Sequence, residues 1–305
     1  MFLMSELAII IPVYNNAQSL RRLNNNIINS LKKIKLTKYT LVYVDDASQD
    51  NSLKILNNLK RKNNKNIIVL NNKINIGQSG SILTGVNYQK SKFYFVMSAD
   101  GQDEPFLIEK FYKNIKANKM DIMLFCKKNL NGTLIRKIFA YTHYKILNIA
   151  TFGKYPKYGS DVFGFTYLAK QKIFDFLDKK DVIQAELIQS DLPKKYIYFK
   201  KKDRVYGQSN QKFSSLLYMH LRTLFSLDSF GIKLVWISTV LSVIGFGMYS
   251  LYILISFIVL EDKIYTGWRS LILINLLCFA LIFIHMGHQS LIIKKILNRL
   301  NNNIK

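Results

Sequence analysis

The sequence predicts an α/β fold, a mostly parallel Rossmann-like sheet with flanking helices, followed by two membrane-spanning helices. Two observations carry this prediction. Short apolar runs alternate with helix-length segments from residue 7 to 126, and two long uncharged stretches follow residue 233. Strands separated by helix-length segments pair in parallel through right-handed crossovers. The expected strands are 7–13, 39–44, 66–70, 93–97 and 121–126, and the expected helices are 18–34, 52–62, 79–89 and 106–118.

Apolar periodicity defines the first helix and the fourth strand most clearly. Helix 18–34 places five apolar residues on one face, namely Leu20, Leu23, Ile27, Ile28 and Leu31. The run from Phe93 to Met97 is short, apolar and flanked by polar or small residues, as expected of a buried strand. Gly77 and Gly80 stand at the start of helix 79–89, where they permit close approach of the backbone.

The C-terminal third predicts a transmembrane hairpin. Residues 234–260 are 27 in number and contain no charged side chain, which exceeds the roughly 20 residues that a helix needs to cross a bilayer. Residues 271–293 form a second uncharged span, and Tyr265 and Trp268 lie between the two as interface anchors. Lysines and arginines dominate before the first span and after the second. The positive-inside rule therefore places both termini in the cytoplasm.

The charge balance also indicates a membrane partner. Lys+Arg total 44 against 19 Asp+Glu, a formal net charge of +25. Nucleic acid is the first partner such a charge suggests. However, the basic residues crowd ahead of the apolar third, where they would face anionic lipid, so we expect a membrane surface and no nucleic acid. Cys126 and Cys278 are too few and too far apart for a disulfide framework or a zinc site.

Two amphipathic segments precede the hairpin, at 134–149 and 213–225. Each mixes apolar and basic side chains, a composition that suits a helix lying on the membrane interface. Each is equally consistent with an ordinary amphipathic helix packed on the sheet. Both interpretations stay open for both segments.

Oxygen-bearing side chains follow the fourth strand directly. Asp100, Gln102, Asp103 and Glu104 precede Pro105, at the sheet edge where ligands of open α/β folds bind. Hard cations prefer such oxygens, so Mg²⁺ or Mn²⁺ holding a diphosphate is one interpretation. An acidic turn that caps the next helix is the other.

Four motifs then occur in a fixed order along the chain. They are Ile-Ile-Pro-Val-Tyr-Asn at 10–15, Val-Asp-Asp-Ala-Ser-Gln-Asp-Asn-Ser at 44–52, Asn-Ile-Gly at 75–77 and Ser-Ala-Asp-Gly-Gln-Asp at 98–103. Together they resemble the family 2 glycosyltransferases with a GT-A fold. The resemblance is strongest to the polyprenyl-phosphate glycosyltransferases, which include dolichyl-phosphate mannose synthase and bacterial undecaprenyl-phosphate glucosyltransferases. Residues 204–209 are similar to that group's Arg-x-x-Gly-x-Ser-Lys segment, and the two C-terminal spans resemble its bacterial members.

The resemblance implies roles for the residues at these positions. Those assigned to the nucleotide-sugar are Pro12, Tyr14, Asn15, Asp45, Asp46, Gly77, Ser98, Asp100, Arg204 and Ser209. Asp46 is the first choice for the base, although Ser48 or Asp50 in the same motif would also cap a helix. Asp100 and Gln102 are the expected ligands of Mg²⁺ or Mn²⁺.

This chain departs from the family pattern at two of these positions. Ser98 stands where many relatives carry the first Asp of Asp-x-Asp, which puts the metal's coordination in question. Asn210 replaces the family lysine, for which Lys212 is a substitute two residues further on. Arg204 is expected to neutralise the donor diphosphate.

The acceptor side rests on three further positions. Arg136 and Lys128 are expected to hold the lipid phosphate, with Lys127 as an alternative to Lys128, and Asp161 is expected to orient the acceptor. The catalytic set is therefore Asp100, Asp161 and Arg204.

The resulting expectation is an inverting, metal-assisted transfer of one sugar from a nucleotide-sugar, most simply a UDP-sugar, to undecaprenyl phosphate. Residues 1–130 would form the nucleotide-sugar-binding core, 131–230 the acceptor-side segment, and 231–305 the hairpin with a basic tail. The enzyme would lie in the cytoplasmic membrane with its catalytic domain and both termini in the cytoplasm, and a homo-oligomer is left open. The alternatives are a membrane-anchored family 2 enzyme with a glycan or protein acceptor, and a non-catalytic nucleotide-sugar-binding scaffold.

Overall fold

A computed structural model describes residues 5–200, apart from 63–64, 118–119, 130–133, 152 and 178–181. It also describes isolated helical positions at 248 and between 271 and 296. The chain divides into two compact units, Met1–Thr223 and Leu224–Lys305, and all the described strands lie in the first. The predicted boundaries at 130 and 230 stay predictions.

The described part of the first unit is built on one seven-stranded sheet of order β3-β2-β1-β4-β6-β5-β7. The strands are β1 Ser5–Val13, β2 Tyr39–Asp45, β3 Ile67–Asn71, β4 Ser91–Val96, β5 Ile122–Lys127, β6 Ser160–Thr166 and β7 Lys194–Phe199. The helices are α1 Ala17–Lys33, α2 Ser52–Lys62, α3 Gly77–Tyr88, α4 Phe106–Ala117, α5 Leu134–Ala150, α6 Tyr167–Ile173 and α7 Ile183–Gln189, with a 3₁₀ turn at Phe174–Phe176.

The Rossmann-like half of the sheet confirms the predicted parallel pairing. β1 pairs in parallel with β2 and with β4, and β2 pairs in parallel with β3. The predicted bounds of these strands and of α1 to α4 agree with the structure to within two residues. Local periodicity therefore suffices where strand and helix alternate in regular crossovers.

Between β4 and β5 the sheet contains a strand that the sequence analysis did not predict, β6. β6 lies between β4 and β5 and runs antiparallel to both. Its sequence, Ser-Asp-Val-Phe-Gly-Phe-Thr, gives a short buried strand interrupted by a glycine, and the sequence pattern did not separate it from the irregular stretch around it. β7 then pairs in parallel with β5 and forms the edge of the sheet.

A hydrophobic core fills the space between α1, α4 and one face of the sheet. Leu20, Leu23, Ile27 and Leu31 of α1 are buried as predicted, whereas Ile28 is only partly buried. Each fully buried side chain of this kind contributes about 1.5–3 kcal/mol relative to an exposed one. This packing holds α1 against the sheet, and it therefore also fixes the position of the loop between β1 and α1.

Gly164 of β6 is required by this core. A Cβ atom at Gly164 would lie 2.3 Å from Cε2 of Phe111, which is fully buried on α4. Gly164→Ala should therefore lower the free energy of unfolding by about 1–3 kcal/mol, the usual cost of overpacking. Urea unfolding of the detergent-purified chain measures this, with Asn57→Ala on the exposed side of α2 as the control. An unchanged midpoint for Gly164→Ala would contradict the packing described here.

The predicted membrane spans lie largely outside the described residues. Within the parts of the chain that the structure describes, no helix is both long enough and apolar enough to cross a bilayer. The segment predicted at 134–149 is a helix, α5, while 213–225 lies outside the described residues.

Candidate active site

The carboxyl ends of the four parallel strands β1 to β4 bring most of the predicted donor residues to one edge of the sheet. The register pairs Val13 with Asp45, Asp45 with Asn71, and Ile10 with Val96. The loops that follow β1, β2, β3 and β4 therefore leave the sheet side by side. This is the position at which open α/β sheets bind ligands.

The loops after β1 and β2 are clasped together by hydrogen bonds in both directions. The backbone N–H of Asn15 donates to Oγ of Ser48 at 3.0 Å, and Gln49 N–H donates to Oδ1 of Asn15 at 2.8 Å. Asn16 N–H donates to Oγ of Ser52 at 2.9 Å. Asn15 has a φ of +53°, a left-handed conformation that asparagine tolerates better than most residues. The two loops consequently form one preorganised shelf.

Asp50 caps helices on both sides of this clasp. Its Oδ1 accepts from Ser52 N–H at 2.9 Å and its Oδ2 accepts from Ala17 N–H, at the start of α1, at 3.0 Å. Burial by itself would raise the pKa of Asp50, but hydrogen bonds from Ser52 and Ala17 hold it below its ordinary value. The predicted capping role is thus confirmed for Asp50 and extends to α1.

Asp46 is committed to the loop between β3 and α3. Its Oδ1 accepts from Asn72 Nδ2 and from Ile76 N–H, both at 2.9 Å, and its Oδ2 accepts from Gly77 N–H at 2.8 Å. The residue is only 3% exposed, and Gly77 adopts the left-handed φ of +81° that this turn needs. The first choice for the base therefore serves in the structure to hold a loop.

Asp45 has a carboxylate oxygen that the described residues leave without a donor, while the choice of Asp46 for the base stays a prediction. Its Oδ2 accepts from Ser48 N–H at 3.1 Å, while its buried Oδ1 receives no hydrogen bond from any described residue. Asp45 is 1% exposed and ends β2. A buried carboxylate oxygen without a donor costs free energy, so it favours a ligand that donates to it.

Asp100 lines a small cleft of about 160 Å³ together with Asn15, Asn16 and Asp50. Gln102 N–H donates to Oδ1 of Asp100 at 3.1 Å. The structure therefore brings two predicted nucleotide-sugar residues, Asn15 and Asp100, together at the ends of β1 and β4, with Gln102, predicted as a metal ligand, two residues after Asp100.

Asp103, by contrast, shapes the turn. Its Oδ2 accepts from Ser98 N–H at 3.1 Å and the residue is 2% exposed. Ser19 Oγ donates to the carbonyl of Ala99 at 2.5 Å, which ties the turn to α1, and Gly101 has a φ of +73°. Asp103 thus stabilises the turn and Asp100 lines the cleft, while the cation interpretation and the helix-capping interpretation of this acidic segment both stay predictions.

A divalent cation fits this site only with help from its substrate. Among the described residues, no three His, Cys, Asp or Glu side chains gather to hold a metal ion by themselves. Mg²⁺ in transferases is commonly held by one or two carboxylates together with substrate phosphates. The Asp100 carboxylate and the Gln102 amide match that sparse donor set, with the Ser98 hydroxyl as a weak third oxygen.

Asp161 and Lys127 form an ion pair at the same edge of the sheet. Nζ of Lys127 lies 2.6 Å from Oδ2 of Asp161, with the side chains 15% and 34% exposed. Burial lowers the pKa of Lys127, but the negative charge and hydrogen bond of Asp161 outweigh it and raise that pKa overall. Because β6 runs antiparallel to β4, with Phe163 opposite Val96, its first residues emerge beside the strand that leads to Asp100.

The remaining acceptor-side predictions divide between described and undescribed residues. Lys128 is exposed, and its backbone N–H donates to the carbonyl of Phe199 at 2.8 Å. Arg136 lies on α5, but its side chain is outside the described residues, as are Arg204 and Ser209 entirely. Of the two lysines, Lys128 is the exposed one and Lys127 the paired one.

Sequence reasoning missed Asn72, which completes the site from β3. Its Nδ2 donates to Asp46 and also to Oγ of Ser81 at 3.1 Å. Asn72 follows the third strand as Asp46 follows the second. That signal was available, but it is weak in a chain so rich in asparagine.

Comparison with known proteins shows which enzymes this chain is similar to. The chain is 24% identical over 286 residues to the undecaprenyl-phosphate 4-deoxy-4-formamido-L-arabinose transferase of Photorhabdus laumondii, covering 93% of this chain and 85% of the relative. The enzyme of that name from Proteus mirabilis is 33% identical over 101 residues, 33% of this chain and 31% of the relative.

A solved structure and a family model complete the comparison. Glucosyl-3-phosphoglycerate synthase from Mycobacterium tuberculosis, solved with Mn²⁺, UDP-glucose and phosphoglyceric acid, matches with a TM-score of 0.53 at 10% identity over 73% of this chain and 78% of that one. This likeness shows the GT-A-type fold. The model of Glycosyl transferase family 2 matches residues 8–175, more than half of the 305 residues. The chain therefore belongs to glycosyl transferase family 2 and is a glycosyltransferase.

Proposed function

We propose that this enzyme transfers one sugar from a nucleotide-sugar, a UDP-sugar, to undecaprenyl phosphate at the cytoplasmic face of the membrane. The observation that carries the proposal is the single sheet edge shared by Asp45, Asp100 and the Lys127–Asp161 pair. That edge offers an acceptor for a base, an oxygen donor for a cation and a charged pair for an acceptor. The undecaprenyl-phosphate transferases among its relatives support the choice of lipid.

The donor base is placed at the ends of β1 and β2. Oδ1 of Asp45 accepts a hydrogen bond from an N–H of the base or from a ribose hydroxyl. Tyr14, which is 46% exposed, supplies an aromatic surface beside Asn15, directly after β1 ends at Val13, and Pro12 precedes them as the penultimate residue of the strand. Asp46 contributes indirectly, because it holds the loop of Gly77 that borders the same edge.

Asp100 and Gln102 would hold Mg²⁺ or Mn²⁺ against the diphosphate of the donor. When bound, the cation supplies positive charge that stabilises the departing diphosphate. Arg204 and Ser209 are proposed to contribute a second positive charge and a hydrogen bond to the same group.

The acceptor phosphate needs little activation, because its oxygen is already anionic at neutral pH. This oxygen forms a bond to the anomeric carbon while the bond from that carbon to the diphosphate oxygen breaks. The electron pair leaves with the diphosphate, no proton is transferred, and in-line attack inverts the anomeric configuration. Asp161 orients Lys127 toward the reacting edge, and Lys128 and Arg136 are proposed to attract the lipid phosphate.

The exposed side of α5 supports delivery of a lipid. Tyr141 and Ile149 are 44% and 63% exposed, and the exposed Lys137 and Lys145 lie on the same stripe of the helix at a spacing of four residues. Apolar residues flanked by lysines suit a helix that lies at the headgroup level of a membrane. The spans at 234–260 and 271–293 are proposed to anchor the enzyme there.

Reporter fusions test this topology. A reporter placed after Lys305 should lie in the cytoplasm, and a tag inserted at Tyr265 should be external, because lysines and arginines dominate both flanks of the hairpin. A cytoplasmic reading at Tyr265 would show that the spans do not cross the membrane.

A panel assay tests the function itself. The purified enzyme is incubated with undecaprenyl phosphate and a series of UDP- and GDP-sugars, and lipid products are detected by mass. One nucleotide-sugar should give a lipid product heavier than undecaprenyl phosphate by the mass of one glycosyl residue. Sugar found only in a polymer or a protein acceptor, with no lipid product, would overturn the proposed acceptor.

A further inference from the structure

A second cleft of about 550 Å³ lies along the edge strand β7, lined by none of the residues assigned to the donor or acceptor. Lys194, Tyr196 and Tyr198 alternate along β7, so they share one face of the sheet, opposite the face on which Ile197 joins the core. The loop after α5 supplies Lys154, Tyr155 and Lys157, and the end of α7 with the turn after it forms another wall. A cleft of this volume accommodates a small-molecule ligand.

Hydrogen bonds hold the walls of the cleft in place. Asn148 Nδ2, at the end of α5, donates to the carbonyl of Tyr155 at 2.5 Å, and Tyr155 N–H donates to Oγ1 of Thr151 at 2.9 Å. Tyr196 Oη donates to the carbonyl of Lys154 at 3.0 Å, which ties the loop to β7. The cleft is therefore preformed, which reduces the entropy lost when a ligand binds.

The cleft carries an excess of positive charge. Three lysines line it against one carboxylate, that of Asp191. Lys194 is engaged with the end of α7, where its Nζ donates to the carbonyls of Ile188, at 2.8 Å, and Ser190. Burial and the charge of Lys154 together lower the pKa of Lys194, as expected where cations crowd. Lys154 and Lys157 are exposed and can turn toward an anion.

Its aromatic surface adds a second kind of contact. Tyr198 is 48% exposed at the cleft, and Tyr155 and Tyr196 stand beside it. A tyrosine combines a large apolar face with a polar tip, so it can pack on the C–H groups of a sugar ring and hydrogen-bond its hydroxyls. Lysines beside such a ring favour a sugar that carries a negative charge.

We propose that this cleft is a binding site for an anionic saccharide, a sugar bearing a phosphate or carboxylate group. The sugar ring packs on Tyr198, and Lys154 and Lys157 bind the anionic group. The site is separate from the donor cleft, so the enzyme can hold such a saccharide while a nucleotide-sugar is bound.

Binding to the full detergent-purified chain tests the proposal. Glucose 1-phosphate and glucuronate should each bind measurably by calorimetry, and glucose and inorganic phosphate should each bind at least about tenfold more weakly, because each lacks one half of the recognised chemistry. Tyr198→Ala and Lys154→Ala should each weaken binding of glucose 1-phosphate by about tenfold. Tyr198→Phe keeps the ring and loses only the hydroxyl, so it should weaken binding less than Tyr198→Ala does. Lys54→Ala removes an exposed lysine of α2 and should bind as the wild type does.

Three results would overturn the proposal. If inorganic phosphate bound as tightly as glucose 1-phosphate, the sugar ring would contribute nothing to binding, and the cleft would be only a positively charged surface. Glucose 1-phosphate binding that survives both Tyr198→Ala and Lys154→Ala would place the ligand outside this cleft, and loss of binding in Asp100→Asn would place it in the donor cleft. The site would also be excluded if neither glucose 1-phosphate nor glucuronate bound at a concentration of about 10 mM, which corresponds to the weakest affinity of interest. None of these outcomes bears on the lipid product assay, so the two proposals fail separately.

Discussion

Asp100→Asn should lower the rate of sugar transfer by about 10²- to 10³-fold while leaving the protein folded. The carboxylate lines the cleft at the ends of β1 and β4, where it would hold the cation that neutralises the departing diphosphate. Loss of one preorganised group that stabilises transition-state charge has this order of effect. Asparagine keeps the oxygen that accepts from Gln102 N–H, so the turn should survive the substitution.

Turnover measured across a Mn²⁺ titration checks this result, and the electron paramagnetic resonance of Mn²⁺ with bound nucleotide gives a readout that does not depend on turnover. Asp175→Asn, an exposed carboxylate paired with Lys170, is the matched control and should change neither measurement. Near-normal turnover of Asp100→Asn at every Mn²⁺ concentration would remove Asp100 from the cation site.

The parallel half of the fold could be predicted because its information is local. Each of β1 to β4 is a short apolar run, and a helix-length segment separates each strand from the next, which predicts parallel strands joined by crossover helices. The insertion of β6 between β4 and β5 depends instead on contacts between distant residues. Its glycine, Gly164, has meaning only once Phe111 of α4 lies against it, and that contact has no signature in the sequence.

The sequence motifs indicate where the candidate site residues lie in the fold, but they do not indicate which partner each residue has. The motifs correctly placed the ends of β1, β2 and β4 together, yet Asp45 and Asp46 are adjacent identical residues that point to different partners. Similarly, Lys127 and Lys128 differ only in which side of the strand end they occupy, and the structure pairs the first with Asp161. Alternation along an extended chain separates the roles of such neighbours, and it takes the strand register to decide which is which.

Exchanging each of the two adjacent aspartates for asparagine should therefore have different effects on stability, although both exchanges should weaken nucleotide binding. Asp46→Asn replaces one carboxylate oxygen, which accepts hydrogen bonds, by an NH₂ group, which donates them. If the NH₂ group takes the place of Oδ2 it opposes Gly77 N–H, and if it takes the place of Oδ1 it opposes the donors of Ile76 and Asn72. Hydrogen bonds to a charged group are worth about 1.5–3 kcal/mol, so at least that loss of unfolding free energy is expected. Nucleotide affinity should fall as well, because the loop of Gly77 loosens.

Asp45→Asn should leave the unfolding free energy nearly unchanged, because the amide oxygen can still accept from Ser48 N–H while its NH₂ group takes the place of the unpaired Oδ1. That replacement turns the acceptor offered to the base into a donor. The Kd for UDP should rise about tenfold to a hundredfold, the value of one hydrogen bond to a charged group. Calorimetry with UDP and urea unfolding of both variants separate the two residues. If Asp46→Asn instead kept full stability and lost nucleotide affinity, and Asp45→Asn kept both, then Asp46 would be the ligand of the base, as the sequence motif alone indicates.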